Sequence, residues 1–167
     1  MAMSSRKVEI SEHGDVGVMK VITEEVGAPA DNEVQIVQKA IGLNFIDIYY
    51  RTGLYAQSLP HGLGFEAAGI VAAVGSRVTH LKKGDRVAYG QSPIGAYAEL
   101  RNVPAVNVLK IPDFLSFDEA AAVMLKGLTV QYLFRQTYRL QGHETILFHA
   151  AAGGVGLIAC QWARAWV

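Results

Sequence analysis

Three consecutive segments decide the fold class: Thr145-Ile-Leu-Phe-His149, then Ala150-Ala-Ala-Gly-Gly-Val-Gly156, then the run from Leu157 to Trp166. The first segment is short, apolar and rich in strand-forming residues, which predicts a buried β-strand. The second segment has glycines where the chain must turn sharply, and the third favours a helix. Strand, glycine turn and helix in this order open a parallel α/β unit.

The glycine turn itself reads Ala151-x-Gly153-x-x-Gly156, a variant of the dinucleotide fingerprint with alanine in its first position. Small side chains here let a diphosphate approach the amides at the helix N-terminus and let the helix pack close to its strand. Alone, such a trio fits a structural turn equally well; the strand before it and the helix after it favour a nucleotide site. The residue that selects NAD or NADP is expected ~20 positions further on, beyond Val167.

The chain before these segments has a different pattern, with short strands separated by turns up to about Leu109. Such strands with many glycines predict a small, partly closed β-barrel. The predicted strands are 7–10, 16–21, 33–40, 69–74, 95–100 and 106–111.

A change to helix follows the barrel. Ser116 and Glu119 have the spacing of a capping box, and a second helix is predicted over 129–137. The predicted fold class is therefore α/β (α+β overall), with a barrel domain at 1–125 and an incomplete nucleotide-binding domain at 126–167. Because one strand and one helix cannot cover both faces of a parallel sheet, we expect the chain to be truncated.

Composition narrows the classes of function. Apolar residues make up 51% of the 167 residues and charged residues 18%, as in a folded protein. Basic and acidic residues number 15 each, so no general attraction to nucleic acid or to an acidic membrane is predicted. A signal-peptide core and an apolar stretch of ~20 residues are both missing. With Cys160 as the single cysteine, we expect a cytoplasmic protein.

Five segments in a fixed order resemble the medium-chain dehydrogenase/reductase superfamily, and within it the zinc-free quinone oxidoreductase (zeta-crystallin-like) branch. They cover nearly the whole chain. The segments are Lys39-Ala-Ile-Gly-Leu-Asn-Phe-Ile-Asp-Ile-Tyr49, Gly64-Phe-Glu-Ala-Ala-Gly-Ile-Val71, Lys83-Gly-Asp-Arg-Val87, Leu125-Lys-Gly-Leu-Thr-Val-Gln-Tyr132 and Phe148-His-Ala-Ala-Ala-Gly-Gly-Val-Gly-Leu-Ile-Ala159.

This resemblance implies a GroES-like barrel domain followed by the first strand, turn and helix of a Rossmann domain. It implies NADPH as cofactor, a small quinone as substrate and a homodimeric parent enzyme. The substrate pocket it implies contains Asn44, Tyr49 and Tyr55. The implied cofactor-binding residues are Phe45, Ile46, Asp47, Lys126, Thr129, Tyr132, Gly153, Gly154 and Val155.

The same resemblance provides a test for metal. Zinc-dependent members hold zinc with a cysteine near the position of Asn44 and a histidine at that of Phe65. Neither residue supplies the thiolate or imidazole that zinc prefers, so no metal is expected. Without a Lewis acid, a quinone or a conjugated enone suits hydride transfer, because the incoming charge delocalises. Two alternatives stay open: a catalytically inactive fragment, and a zinc-free enone or alkenal reductase.

Structural roles also stay open for several of these residues. Asn44 and Asp47 suit residues that cap or brace the segment after a strand. One of the two tyrosines Tyr49 and Tyr55 suits the core, and Lys126 suits a solvated helix face. Glu66 is better explained as a buried, paired carboxylate than as a catalytic group. The ending Trp166-Val167 departs from the family pattern, which continues through a small residue and a glycine; a frameshift, a premature stop or a deliberate cut each explains it.

Overall fold

The computed structural model describes residues 2–91 and 93–166. Its contacts divide the chain into two compact units, Met1–Ala122 and Val123–Val167. We term the first the sheet unit and the second the helical unit, and describe each separately.

The sheet unit contains two antiparallel sheets. The strands are β1 (Met3–Ile10), β2 (Lys20–Val26), β3 (Glu33–Gly42), β4 (His61–Gly62), β5 (Glu66–Val74), β6 (Arg86–Tyr89), β7 (Leu100–Pro104) and β8 (Val108–Lys110). The smaller sheet has the strand order β2-β1-β4 and the larger has the order β7-β3-β5-β6-β8.

The core of the sheet unit lies along β3 and β5, the central pair of the larger sheet. Ile36 lies opposite Val71 in their antiparallel register, and both are almost completely buried. β-Branched side chains suit this position because they pack well on a pleated surface. The residues that share this core are Val34, Ile36, Ala67, Val71, Leu81, Val87, Tyr89, Ala96, Val103, Ala105 and Val108.

The segment before β7 links the two sheets. An isolated bridge pairs Lys7 with Ala98, and the backbone N–H of Val8 donates to the Tyr97 carbonyl oxygen at 2.8 Å. The ladders therefore approach each other without closing into one ring, in line with the predicted partly closed barrel.

The described residues form three α-helices: α1 (Phe45–Thr52), α2 (Phe117–Tyr132) and α3 (Gly154–Ala165). The sequence pattern predicts the start of α2 and the presence of α3, but it does not predict α1. At the start of α2, the Glu119 carboxylate accepts the backbone N–H of Ser116 at 2.8 Å. In return, the Ser116 hydroxyl accepts the Glu119 N–H at 3.1 Å. The predicted capping box is confirmed.

Two predicted elements are wrong. The helix expected over 129–137 is not separate, because α2 continues through Gly127 to Tyr132 and ends in a π-helical turn at Leu133–Thr137. The segment expected to be a buried strand, 145–149, forms no ladder with any described residue, and Leu147 is 87% exposed. A parallel strand needs neighbours on its sides, and the described residues provide none there.

Smaller shifts occur in the barrel. Residues 95–100 form a loop and only the last of them enters β7, while 16–21 and 106–111 each begin with a 3-10 turn, Val16–Val18 and Ala105–Asn107. Each shift places a turn where alternation alone predicts a strand.

The helical unit has a core of its own around Val130, Phe134, Leu140 and Ala159. Two tryptophans cover it: the rings of Trp162 and Trp166 stack at 6.1 Å, and the Arg135 guanidinium lies 3.7 Å from the centre of the Trp166 ring. Trp166, which departs from the pattern of the family that the sequence resembles, therefore packs against this core.

Candidate functional site

The first turn of α1 holds four of the predicted site residues. Asn44 is its N-cap, and the Asn44 backbone N–H donates to the Asp47 carboxylate at 2.9 Å, so that the two residues form a capping box. Asp47 is only 4% exposed. Phe45, by contrast, is 77% exposed and Ile46 is half-buried. The helix start therefore combines a buried carboxylate with an apolar side chain at the surface.

Asp47 has a second partner on a distant segment. The Tyr97 hydroxyl donates to the same carboxylate oxygen at 2.8 Å. Burial raises the pKa of the Tyr97 phenol well above its usual range, and the hydrogen bond to Asp47 raises it further. Tyr97 therefore keeps its proton and remains a donor at neutral pH.

Glu66 joins this network from β5. Its side chain is completely buried, and its Oε1 accepts a hydrogen bond from the Asn44 side-chain Nδ2 at 2.8 Å. A methyl group on Gly42 would lie 2.2 Å from the same oxygen, so only glycine leaves room for the carboxylate. The geometry agrees with the interpretation of Glu66 as a buried, paired carboxylate.

The two predicted tyrosines lie together beside this network. The Tyr49 ring on α1 is 5.3 Å from the Tyr55 ring, which lies in the loop after the helix. Tyr50 contacts Tyr55 edge-on at 5.6 Å and lies 5.2 Å from Phe65. These four rings, termed the aromatic cluster, form one continuous patch, with Tyr49, Tyr50 and Phe65 half-buried and Tyr55 exposed.

Sequence reasoning missed Tyr50 and Tyr97 in this region. Tyr50 directly follows Tyr49 in the sequence, but the family resemblance implied a pocket role for Tyr49 and none for Tyr50. Tyr97 lies 50 positions from Asp47, and nothing in the local sequence indicates their hydrogen bond.

The glycine turn lies in the helical unit, at the start of α3. Gly153 is the N-cap of that helix, and the Leu157 N–H donates to its carbonyl oxygen at 2.8 Å. A methyl group on Gly156 would lie 2.4 Å from the Ala150 carbonyl oxygen, so the third glycine is required by close packing. Gly153 and Gly154 are exposed and Val155 is half-buried.

The remaining predicted cofactor residues lie on α2. The aliphatic part of the Lys126 side chain packs beside Gly154, 3.0 Å from where a methyl group on that glycine would lie. The Thr129 hydroxyl donates to the Leu125 carbonyl oxygen at 2.8 Å, and Tyr132 is exposed at the end of the helix. Lys126 thus lies next to the glycine turn, which sequence spacing alone does not show.

Residues 2–91 and 93–166 contain no group of three or more His, Cys, Asp or Glu residues arranged to hold a metal ion. Within the same residues, every helix is too short or too polar to cross a membrane.

Comparison with known proteins adds to this geometry. The sequence profile described as "Alcohol dehydrogenase GroES-like domain" matches residues 30–113. The chain is 56% identical over 162 residues to a quinone oxidoreductase of Pseudomonas aeruginosa, covering 96% of this chain and 50% of that protein. It is 42% identical over 146 residues to a 2-haloacrylate reductase of Burkholderia sp, covering 84% of this chain and 44% of that protein.

A solved structure gives the same picture. The quinone oxidoreductase of Escherichia coli, complexed with NADPH, superposes with a TM-score of 0.92 at 54% identity, covering 96% of this chain and 50% of that one. The chain thus spans about half the length of the curated relatives it matches.

Proposed function

This chain belongs to the family of alcohol dehydrogenase GroES-like domains, and from that premise we propose that it carries part of an NADPH-dependent quinone reductase that works without a metal. The predicted α/β fold class with a GroES-like domain is confirmed by the family match and the solved relative. The quinone reductase activity rests on the similarity to quinone oxidoreductases together with the aromatic cluster.

The glycine turn is suited to the diphosphate of NADPH. The amides of the first turn of α3 have no acceptor one turn earlier in the helix, which favours an anion at this end. Gly153, Gly154 and Val155 would bind the diphosphate there, and Lys126, beside Gly154, would supply positive charge. Thr129 and Tyr132, on the same helix as Lys126, would bind the nicotinamide side.

The aromatic cluster is the observation that carries the substrate class. A quinone is flat and conjugated, so it stacks on tyrosine and phenylalanine rings. When bound, the reduced nicotinamide supplies a hydride to the quinone. Tyr49 or Tyr55 would donate a hydrogen bond to the quinone oxygen on which negative charge develops. In this proposal, Phe45, Ile46 and Asp47 lie alongside the cofactor.

The test is a reductase assay on the purified chain with NADPH and tetramethyl-1,4-benzoquinone. This quinone has no unsubstituted ring position, which avoids addition of the exposed Cys160 thiol. We expect loss of NADPH absorbance above a protein-free blank. Tyr55→Phe should lower the rate by about 10²-fold, the size expected for removing one hydrogen-bond donor to a developing oxyanion. The matched change Tyr138→Phe should leave the rate unchanged.

A lack of turnover by a chain that is folded by circular dichroism would refute the proposal for this polypeptide and favour the inactive fragment.

A second candidate function is reduction of a conjugated acid, favoured by the similarity to the 2-haloacrylate reductase. Faster NADPH loss with 2-chloroacrylate than with the quinone would select that activity.

Three further proposals come from sequence. The equal numbers of acidic and basic residues support a protein without a nucleic-acid partner. The resemblance supports a homodimeric parent enzyme, and the single cysteine supports a cytoplasmic location. Size-exclusion chromatography with light scattering on the full-length parent enzyme tests the homodimer.

A further inference from the structure

We propose that Glu66 is a positioning residue: through Asn44 it fixes the start of α1, and thereby the place of Tyr49 in the aromatic cluster. The inference rests on the proposed function, because it assigns Tyr49 a role toward a quinone. It also revises the role of Asn44, from a group that contacts substrate to the link between a buried carboxylate and a helix.

Burial of the Glu66 side chain has a cost in folding free energy. A carboxylate removed from water destabilises a protein unless hydrogen bonds compensate, and Glu66 is completely buried. The Asn44 amide supplies a hydrogen bond at 2.8 Å, and Gly42 leaves the room the carboxylate needs. These two contacts hold the Glu66 carboxylate and the Asn44 amide in one arrangement.

Asn44 lies at the start of α1. As the N-cap, Asn44 marks where the backbone enters α1, and Asp47 completes the capping box with its carboxylate. Tyr97 holds Asp47 from another segment at 2.8 Å. The first turn of α1 is therefore tied to β5 through Glu66 and to the loop before β7 through Tyr97.

The helix α1 is short. A helix of eight residues has little stability of its own, so the contacts at its ends set its position. Tyr49 lies in the second turn, and its ring contacts Tyr55, which is outside the helix. A rotation or shift of the first turn would thus change the geometry between Tyr49 and Tyr55.

An exchange of polarity tests this chain of contacts. In Asn44→Asp, the new carboxylate still caps the helix but lies against Glu66, and two adjacent carboxylates repel each other. In the double variant with Glu66→Gln, the glutamine amide donates to the carboxylate introduced at position 44, so the hydrogen bond returns with donor and acceptor exchanged. Binding of tetramethyl-1,4-benzoquinone to the full chain is measured by isothermal titration, and the ring signals of Tyr49 and Tyr55 by NMR.

We expect Asn44→Asp to weaken quinone binding about tenfold, the size of a typical interaction between contacting residues. The double variant should return to within about threefold of wild type, with the Tyr49 and Tyr55 ring signals restored. Recovery of the unfolding midpoint without recovery of quinone binding would overturn the inference, because the Asn44 amide would then itself contact the quinone.

The matched control is Glu119→Ala, which removes the capping box of α2. It should lower the unfolding midpoint while leaving quinone binding and the two tyrosine signals unchanged, which separates positioning from a general loss of stability. If Asn44→Asp does not fold, Asn44→Ser replaces it, since serine caps a helix but is too short to reach Glu66. Unchanged tyrosine signals in folded Asn44→Ser would also overturn the inference.

Failure of the proposed function gives a different result. If the wild-type chain binds no quinone, the reductase proposal fails, and the NMR signals without quinone still decide whether Glu66 positions Tyr49. If the wild-type chain binds quinone but the tyrosine ring signals and the quinone affinity are the same in Asn44→Asp and in the double variant as in wild type, only the positioning role fails.

Discussion

The sheet unit and the helical unit hold their predicted site residues in different ways. In the sheet unit, Asn44 and Asp47 hydrogen-bond to groups on distant segments, and both carboxylates of the network are buried. In the helical unit, Gly153 and Gly154 are exposed, and in the segment expected to be the first parallel strand only Phe148 packs against the core. The difference indicates that hydrogen bonds between side chains fix the predicted site residues of the sheet unit, whereas close backbone packing around Gly156 fixes the glycine turn of the helical unit.

The largest expected contrast concerns burial. Ile36→Ala in the sheet unit should lower the free energy of unfolding by about 2 to 5 kcal/mol, because it leaves a cavity in a closely packed core. Leu147→Ala in the helical unit should change it by less than about 0.5 kcal/mol, since that side chain is exposed. Urea unfolding followed by circular dichroism measures both, and equal effects would contradict the contrast between the units.

The second contrast concerns pH. Burial raises the pKa of Tyr89 in the sheet unit from 10.0 to about 12. A raised pKa in the folded state stabilises the protein fully below pH 10, and this stabilisation is lost as the pH rises toward 12. The loss should reach about 2 kcal/mol, and Tyr89→Phe should remove it.

The matched residue in the helical unit is Tyr138. A hydrogen bond to Glu144 raises the pKa of Tyr138, but the side chain is 58% exposed and solvent screens the effect. Tyr138→Phe should therefore leave the alkaline loss of stability as it is. A similar response of both variants in unfolding experiments between pH 9 and 12 would count against the difference in burial.

The third contrast lies within the helical unit. Gly156→Ala should cost about 1 to 3 kcal/mol because its methyl group meets the Ala150 carbonyl oxygen. Gly127→Ala, inside α2, meets only ordinary contacts and should stabilise by up to about 1 kcal/mol. Hydrogen exchange of the amides in α3 and α2 reports both, and protection that moves in the same direction in both variants would refute the distinction.

Local patterns predicted the backbone well where a residue acts on its own neighbours. The capping box of Ser116 and Glu119, the glycine turn and α3 all depend on contacts within a few positions. The strand at 145–149 failed because a parallel strand depends on neighbours that no local pattern provides. The boundary predicted at residue 125 stays a prediction, since α2 runs unbroken across it.

In the candidate site, too, contacts between neighbouring residues were easier to predict than contacts between distant ones. The resemblance placed Tyr49 and Tyr55 in one pocket, and their rings do lie in contact. The bonds from Tyr97 to Asp47 and from Asn44 to Glu66 connect residues far apart in sequence, so only the fold reveals them. The catalytic and cofactor-binding roles of these residues stay predictions.

The stacked pair Trp162 and Trp166 gives the molecule an optical label. These are the two tryptophans of the chain, and both lie in the helical unit. Fluorescence excited beyond the absorption of tyrosine therefore reports the melting of that unit alone, whereas circular dichroism sees the sheets as well. If the units unfold independently, the two signals give separate melting curves, and no single melting temperature describes the chain.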